Sequence, residues 1–277
     1  MKISVIVPTY KPQDYLWVCL DSIRSQTISN EDFEIILVLN GCNEPYYSKI
    51  KDYLSCKFQG YNVVLIQTDL GGVSNARNIA LDCAKGEYVT FIDDDDYVSN
   101  TYLQKLLEVA APDTISVSNA IAFNDANNAT PVKYQLSDIY HQYSSKSRIR
   151  ITSKVRKFFS GPWMKLIPSI YIRDRRFDVR FKNGEDSIFM FLISDEFKKI
   201  RFASQDAIYY RRYRNNSAVT QYRTLNNRIS NSLNALKEYV KIYFRDPFKY
   251  NFIFFILRVV VSIKNICVAI YSQYAKD

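Results

Sequence analysis

Short apolar, β-branched runs alternate with helix-patterned stretches through the first 120 residues, and that alternation leaves few folds open. Residues 3–7, 34–39, 63–66, 88–92 and 115–117 read as strands, and 15–23, 46–58, 73–84 and 102–110 as helices between them. Leu16, Cys19, Leu20 and Ile23 share one helical face, as do Ala76, Ile79, Ala80 and Cys83, with Gly86 standing where a helix would end. Such alternation predicts an α/β fold, a mostly parallel central sheet flanked by helices. In open sheets of that kind ligands bind beyond the carboxyl ends of the strands.

Chemistry-bearing residues fall at those ends. Thr9 and Tyr10 follow the first strand, Asn40 and Gly41 the second, and Asp93-Asp94-Asp95-Asp96 the fourth. Four adjacent carboxylates repel one another, so a folded chain keeps them where a cation binds or where water screens them. Carboxylate oxygens at a strand end suit Mg²⁺ or Mn²⁺. A solvated turn that caps the helix beginning near Thr101 is the plainer reading of the same run.

Other site types are poorly supported. No GxGxxG follows the first strand, where Pro8-Thr9-Tyr10-Lys11-Pro12 stands, and Gly71-Gly72 is followed by no GK[ST]. Five scattered cysteines without a CxxC, and one histidine, His141, argue against zinc. The net charge of +9 conceals an asymmetry: residues 1–140 hold 10 Lys and Arg against 18 Asp and Glu, and residues 141–277 hold 27 against 10. A basic second half suits anionic lipid or phosphorylated substrates; no nucleic-acid motif accompanies it, so nucleic acid is not expected as a partner.

Read in order, the motifs resemble family 2 glycosyltransferases, enzymes of the GT-A fold that use nucleotide-sugar donors. The matching stretches are Ser4-Val5-Ile6-Val7-Pro8-Thr9-Tyr10, Phe33-Glu34-Ile35-Ile36-Leu37-Val38, Gly72-Val73-Ser74-Asn75-Ala76-Arg77-Asn78 and Tyr88-Val89-Thr90-Phe91-Ile92 with the acidic run. Trp163-Met164-Lys165-Leu166 and Gly184-Glu185-Asp186 continue the series, so the resemblance covers roughly residues 2–220. It implies a Rossmann-like nucleotide-sugar-binding half over 1–120, an acceptor-binding and catalytic half over 121–222, and a basic, apolar helical extension over 223–277.

The resemblance also implies roles. Asp93-Asp94-Asp95 would be the DxD signature, with Asp93 near the donor ribose and metal and Asp95 a ligand of a divalent Mn²⁺ or Mg²⁺. Asp96 would orient its neighbours or cap the next helix. Pro8, Thr9 and Tyr10 would hold the nucleotide, and Arg77 would neighbour both nucleotide and acidic loop. Where the family often has Asp-Asp-Gly-Ser, this chain has Leu39-Asn40-Gly41-Cys42. Asn40 can read a base edge such as uracil and Leu39 cannot; UDP is the favoured donor nucleotide, but this departure counts against it and leaves others open. Asp186, supported by Glu185, would be the general base, although an acidic pair at a helix start also suits the helix dipole. On the acceptor or diphosphate side would stand Trp163, Lys165, Arg212 and Ser217.

The implied activity is a metal-dependent, inverting transfer of a sugar, a hexosyl group, from a nucleotide-sugar to a hydroxyl of a glycan or lipid-linked acceptor, in surface-polysaccharide synthesis. A non-catalytic nucleotide- or glycan-binding scaffold of the same fold is the alternative. Residues 248–271 are very apolar but interrupted by Lys249, Arg258 and Lys264, which argues against a spanning helix. Asn251, Arg258, Ser262, Asn265 and Ser272 would form one narrow polar stripe, so the segment suits a membrane interface, its own domain or a second copy of the chain. No signal-peptide pattern opens the sequence, and the expected location is cytoplasmic, peripheral to the membrane's inner face.

Overall fold

The computed structural model describes residues 1–124, 130–214 and 225–274. The expected alternation is there as β1 (Ile3–Thr9), α1 (Tyr15–Arg24), β2 (Phe33–Asn40), α2 (Tyr46–Lys57), β3 (Asn62–Thr68), α3 (Val73–Cys83) and β4 (Tyr88–Phe91). Then come β5 (Tyr97–Val98), α4 (Tyr102–Glu108), β6 (Thr114–Val117), β7 (Asn119–Asn124), β8 (Thr130–Val132) and α5 (Gln135–Tyr143). A 3-10 segment at Val155–Ser160 leads into β9 (Lys165–Pro168), α6 (Ser169–Ile172), α7 (Glu185–Leu192), β10 (Lys199–Phe202) and β11 (Ile208–Tyr213). Two long helices close the chain, α8 (Leu225–Arg245) and α9 (Phe252–Tyr274).

A seven-stranded sheet runs β10-β6-β9-β4-β1-β2-β3, and a four-stranded sheet runs β5-β11-β7-β8. The pairs β1/β2, β2/β3, β1/β4 and β6/β10 are parallel; β9 is antiparallel to both its neighbours. Every residue of β1, β2 and β4 is buried, which explains why these strands read as unbroken apolar runs. The faces expected on α1 do pack inward, with Leu16, Cys19, Leu20 and Ile23 all buried. On α3 the buried set is Ser74, Ala76, Arg77, Ala80 and Leu81, so an arginine enters the interior among small side chains.

Gly86 does more than end a helix. A Cβ there would lie 2.5 Å from the Ser4 backbone nitrogen, so only glycine admits the close crossing over β1. At that crossing Glu34, buried in β2, accepts from the Ser4 hydroxyl and the Lys85 backbone N–H, both at 2.7 Å. The rigid edge so formed sets the start of β4, whose far end carries the acidic run.

The last helix is inside out relative to a solvated one. Arg258 and Ser262, from the expected polar stripe, are buried, whereas Phe252, Ile253, Ile256, Val260 and Ile263 are exposed. With Arg258 turned inward and Lys264 left exposed, the stretch Phe252–Ser272 is long and apolar enough to cross a membrane by length and composition, and only 28% of its apolar window is buried. The interruption by charge that argued against a spanning helix therefore falls away at Arg258, whose guanidinium lies against Phe159 and Tyr239, and stands at Lys264.

Candidate active site

The acidic run turns sharply after β4, closed by a hydrogen bond from the Asp96 backbone N–H to the Asp93 carbonyl at 3.0 Å. Each aspartate then takes a different partner. Asp93 accepts from Arg77 Nη2 at 3.0 Å; Asp94 accepts from the Thr9 hydroxyl at 2.5 Å; Asp95 pairs with Arg214 Nη2 at 2.7 Å. Asp96 is buried and accepts from the Tyr209 hydroxyl and the Arg212 backbone N–H, both at 2.7 Å. Asp96 therefore anchors the loop to β11 and does not cap α4, whose N-cap is Thr101. The run is no solvated turn: burial, followed by the charges of Asp95 and Asp93, holds the Asp96 carboxyl well above its ordinary range.

Arg77 is the hub. Its side chain is 3% exposed, and while Nη2 meets Asp93, Nη1 meets Asp186 Oδ1 at 2.5 Å. One guanidinium thus spans the acidic loop and the first turn of α7, segments 93 residues apart in sequence. Burial pulls the Arg77 pKa down, but Asp186, Asp93 and Glu185 outweigh it and keep the group charged. A planar fork with several donors in fixed directions is better suited to bridging two carboxylates in this way than a compact ammonium.

On α7, Glu185 is buried and Asp186 half-buried. Burial, then the neighbouring Asp186 charge, pushes Glu185 up to about 7, and its Oε2 has no hydrogen-bond partner. Burial also raises Asp186, opposed by Arg77. A carboxyl poised in this manner can take up a proton near neutrality, as a general base requires.

Several expected residues take other positions. Asn40 is buried, its amide donating to the Thr9 carbonyl at 2.7 Å and accepting from the Gly72 N–H at 2.8 Å. Its amide braces two loops at the sheet's carboxyl edge, which corrects its assignment to a base edge. Lys165 is also corrected: it is 0% exposed, and Nζ donates to the carbonyls of Gly161 and Trp163 at 2.8 Å each, out of reach of a phosphate. Burial lowers its pKa to about 7 despite the charge of Asp186.

Pro8 is buried within β1 opposite Val38, whereas Tyr10 is 52% exposed beside the strand end, with Lys11 Nζ 5.3 Å from its ring centroid. Trp163 is half-buried between Tyr209, 5.4 Å away ring to ring, and Arg211, 4.8 Å from its ring. Arg212 donates through Nε to the Asp95 carbonyl at 2.8 Å, so Arg214, two residues on, supplies the ion pair to this loop. Ser217 lies outside the described residues.

Tyr209 and Arg214 were not among the expected site residues. Tyr209 sits in the register of β11, accepting from the Asp93 N–H at 3.2 Å and donating to Asp96; Arg214 stacks 4.6 Å over Tyr15. Which residues of this stretch face inward depends on strand pairing with β5 and β7.

Among the described residues no group of three or more His, Cys, Asp or Glu surrounds a common ion position. The donor set here is two carboxylates, Asp93 and Asp95, all oxygen, which suits Mg²⁺ or Mn²⁺ completed by diphosphate oxygens and water. Mutual repulsion fits the same group: burial and then the Asp93 charge raise Asp95, and a divalent cation would relieve that cost.

The profile of glycosyl transferase family 2 matches residues 4–172. The chain belongs to that family. Its fold is GT-A: residues 1–349 of Staphylococcus aureus TarS in complex with UDP-GlcNAc superpose at a TM-score of 0.67 with 23% identity, covering 87% of this chain and 67% of that one. A mannosyltransferase from Pyrobaculum calidifontis in complex with GDP-Man and Mn²⁺ superposes at 0.63 with 17% identity, over 100% of this family 2 chain and 76% of its own. Glycosyltransferase GlyA of Streptococcus pneumoniae serotype 4 is 32% identical over 195 residues, 67% of this chain and 27% of GlyA. A poly(ribitol-phosphate) beta-glucosyltransferase of Bacillus spizizenii is 29% identical over 222 residues, 76% of this chain and 32% of its own. The family 2 chain thus spans about a quarter to a third of the length of these two curated relatives.

Proposed function

We infer that this family 2 chain transfers a hexosyl group from a nucleotide-sugar, UDP-linked by preference, to a hydroxyl of a glycan or lipid-linked acceptor in surface-glycan synthesis. The observation that carries the reading is the Arg77 bridge, which holds Asp93 of the acidic loop and Asp186 of α7 on one guanidinium. Donor-side and acceptor-side carboxylates must lie that close if one group is to lose a proton while the next bond breaks. The TarS and mannosyltransferase complexes, whose ligands are UDP-GlcNAc and GDP-Man with Mn²⁺, support a nucleotide-sugar donor.

Asp93 and Asp95 would hold a divalent cation, which when bound neutralises charge developing on the leaving diphosphate. Asp186 takes the acceptor hydroxyl's proton as that oxygen attacks the anomeric carbon. Arg77 keeps Asp186 ionised and oriented, and buried Glu185 supports it from the adjacent position. A single base acting in a single displacement inverts the anomeric centre. Tyr10, exposed at the end of β1, offers its face to a base. The exposed apolar side of α9, flanked by a basic half, supports peripheral contact with an anionic membrane surface.

The test is hydrolysis of UDP-GlcNAc, UDP-glucose and GDP-mannose by the full chain with and without Mn²⁺. Turnover of at least one that needs Mn²⁺ and disappears in Asp95→Asn supports the reading. Retained turnover in Asp95→Asn removes the metal role, and no turnover of any donor favours the non-catalytic alternative.

A further inference from the structure

Behind the first turn of α7 lies a cavity of about 430 Å³, walled by the 3-10 segment Val155–Ser160, α7, α8 and α9. Arg156, Arg228 and Arg258 line it together with Ser187, Asn231 and Asn265. No acidic side chain is among its lining residues. Arg156 is 9% and Arg258 3% exposed, and neither has an ion pair with a carboxylate among the described residues. Arg258 donates through Nη2 to the Phe159 carbonyl and stacks on Phe254 and Tyr239, yet its Nε has no partner; the Arg156 Nε is likewise unbonded.

Buried guanidiniums are costly, and natural proteins pair them. Two of them unpaired in one polar cavity describe a site whose counter-ion arrives with the ligand. Burial lowers Arg258 to about 10, with Arg156 adding to the effect, so the two cations are near enough to strain each other. The positive field extends outward: Lys157 is depressed first by burial and then by Arg156, Lys264 and Lys154. Position also matters. The cavity wall includes Gly184 and Ser187, which bracket Glu185 and Asp186, so a group seated in it lies within one helical turn of the acceptor-side carboxylates.

We propose that this arginine-lined cavity binds a phosphate group of the acceptor, fixing it while the attacking hydroxyl reaches Asp186. The acceptor part rests on the glycosyl-transfer reading; the phosphate site does not. Phosphate is favoured over carboxylate because three cations surround the space and a dianion satisfies more donors.

Inorganic phosphate, titrated at constant ionic strength into the full chain with EDTA present, is expected to raise Tm with the logarithm of its concentration. Arg156→Gln in the wall and Arg228→Gln at the exposed rim should each weaken phosphate binding roughly tenfold, the loss of one charge-assisted hydrogen bond. Arg228→Gln keeps the test decisive if Arg156→Gln does not fold, since residue 228 is exposed. No stabilisation by phosphate, or equal stabilisation of wild type and Arg228→Gln, overturns the proposal. Phosphatidylglycerol vesicles form the second arm: competition between vesicles and phosphate, lost in Arg228→Gln, supports a lipid-borne phosphate, and phosphate binding indifferent to vesicles supports a soluble one. Donor hydrolysis is read separately, so its absence sinks the glycosyl-transfer reading without touching the phosphate site.

Discussion

Replacing Arg77 by Met removes the only side chain that touches both the acidic loop and Asp186 among the described residues. Two charge-assisted hydrogen bonds are lost, at 3.0 and 2.5 Å, and two carboxylates are left facing each other beside buried Glu185. Breaking a buried ion pair by deleting one partner costs about 3–5 kcal/mol. Here the side chains of Asp93 and Asp186 are 33% and 23% exposed, so water recovers part of the loss and about 3 kcal/mol is the expected destabilisation. The same change alters activity. Arg77 opposes the rise that burial imposes on Asp186, so its removal raises Asp186 further. The acid limb of donor turnover should therefore move to higher pH. Arg77→Lys keeps the charge but reaches one carboxylate, and should fall between wild type and Met on both readouts. Urea unfolding at pH 7 and a pH profile of nucleotide-sugar hydrolysis make the measurement. Wild-type stability within about 0.5 kcal/mol together with an unmoved acid limb in Arg77→Met would refute the bridging role.

Three further outcomes follow from individual contacts. Gly86→Ala drives a Cβ to 2.5 Å from the Ser4 backbone nitrogen, which must shift β1, and a loss of about 3 kcal/mol is expected in urea unfolding. Lys165→Met leaves the Gly161 and Trp163 carbonyls without their donor and should cost about 2 kcal/mol. It should also flatten a pH slope: the unfolded lysine keeps its proton to near 10.5 while the folded one releases it near 7, so the unfolded state binds more protons and wild-type stability rises between those values. Ile256→Asp with Val260→Asp places charges on the exposed side of α9 and should reduce sedimentation with phosphatidylglycerol vesicles roughly tenfold; undiminished sedimentation would remove α9 from the membrane contact.

Much of the fold was legible because parallel strands buried on both faces leave a plain signature. The runs at 3–7, 34–39 and 88–92 lie within β1, β2 and β4 or overrun them by one residue, and the α1 face is reproduced residue for residue. What was not legible is long-range pairing. β9 inserts antiparallel between β4 and β6 from 74 residues beyond β4, and no local pattern announces it. The same limit governs the site. Asp93, Asp95, Arg77 and Asp186 were readable as residue types at strand and helix ends, but the partner of each was not. Asn40 and Lys165 have polar side chains suited to a ligand, and each is spent on backbone groups that only the folded chain brings near. Of the expected polar stripe of α9, Arg258 and Ser262 are buried while Asn251 and Asn265 are exposed; the sequence left its direction open, since an amphipathic pattern gives a face without saying whether water, lipid or a buried cavity lies against it.

The central claim is that Asp186 is the base and the acidic loop is the donor site, two functions joined by Arg77. Asp186→Asn separates them, because the amide keeps the shape and can still meet Arg77's neighbourhood but cannot take a proton. Binding of UDP-GlcNAc with Mn²⁺, read as thermal stabilisation, and transfer to acceptor, read as UDP release, are measured on the same preparation. Stabilisation retained with release lowered about a thousandfold is the predicted result. Release at the wild-type rate, or loss of donor stabilisation along with it, would contradict the assignment.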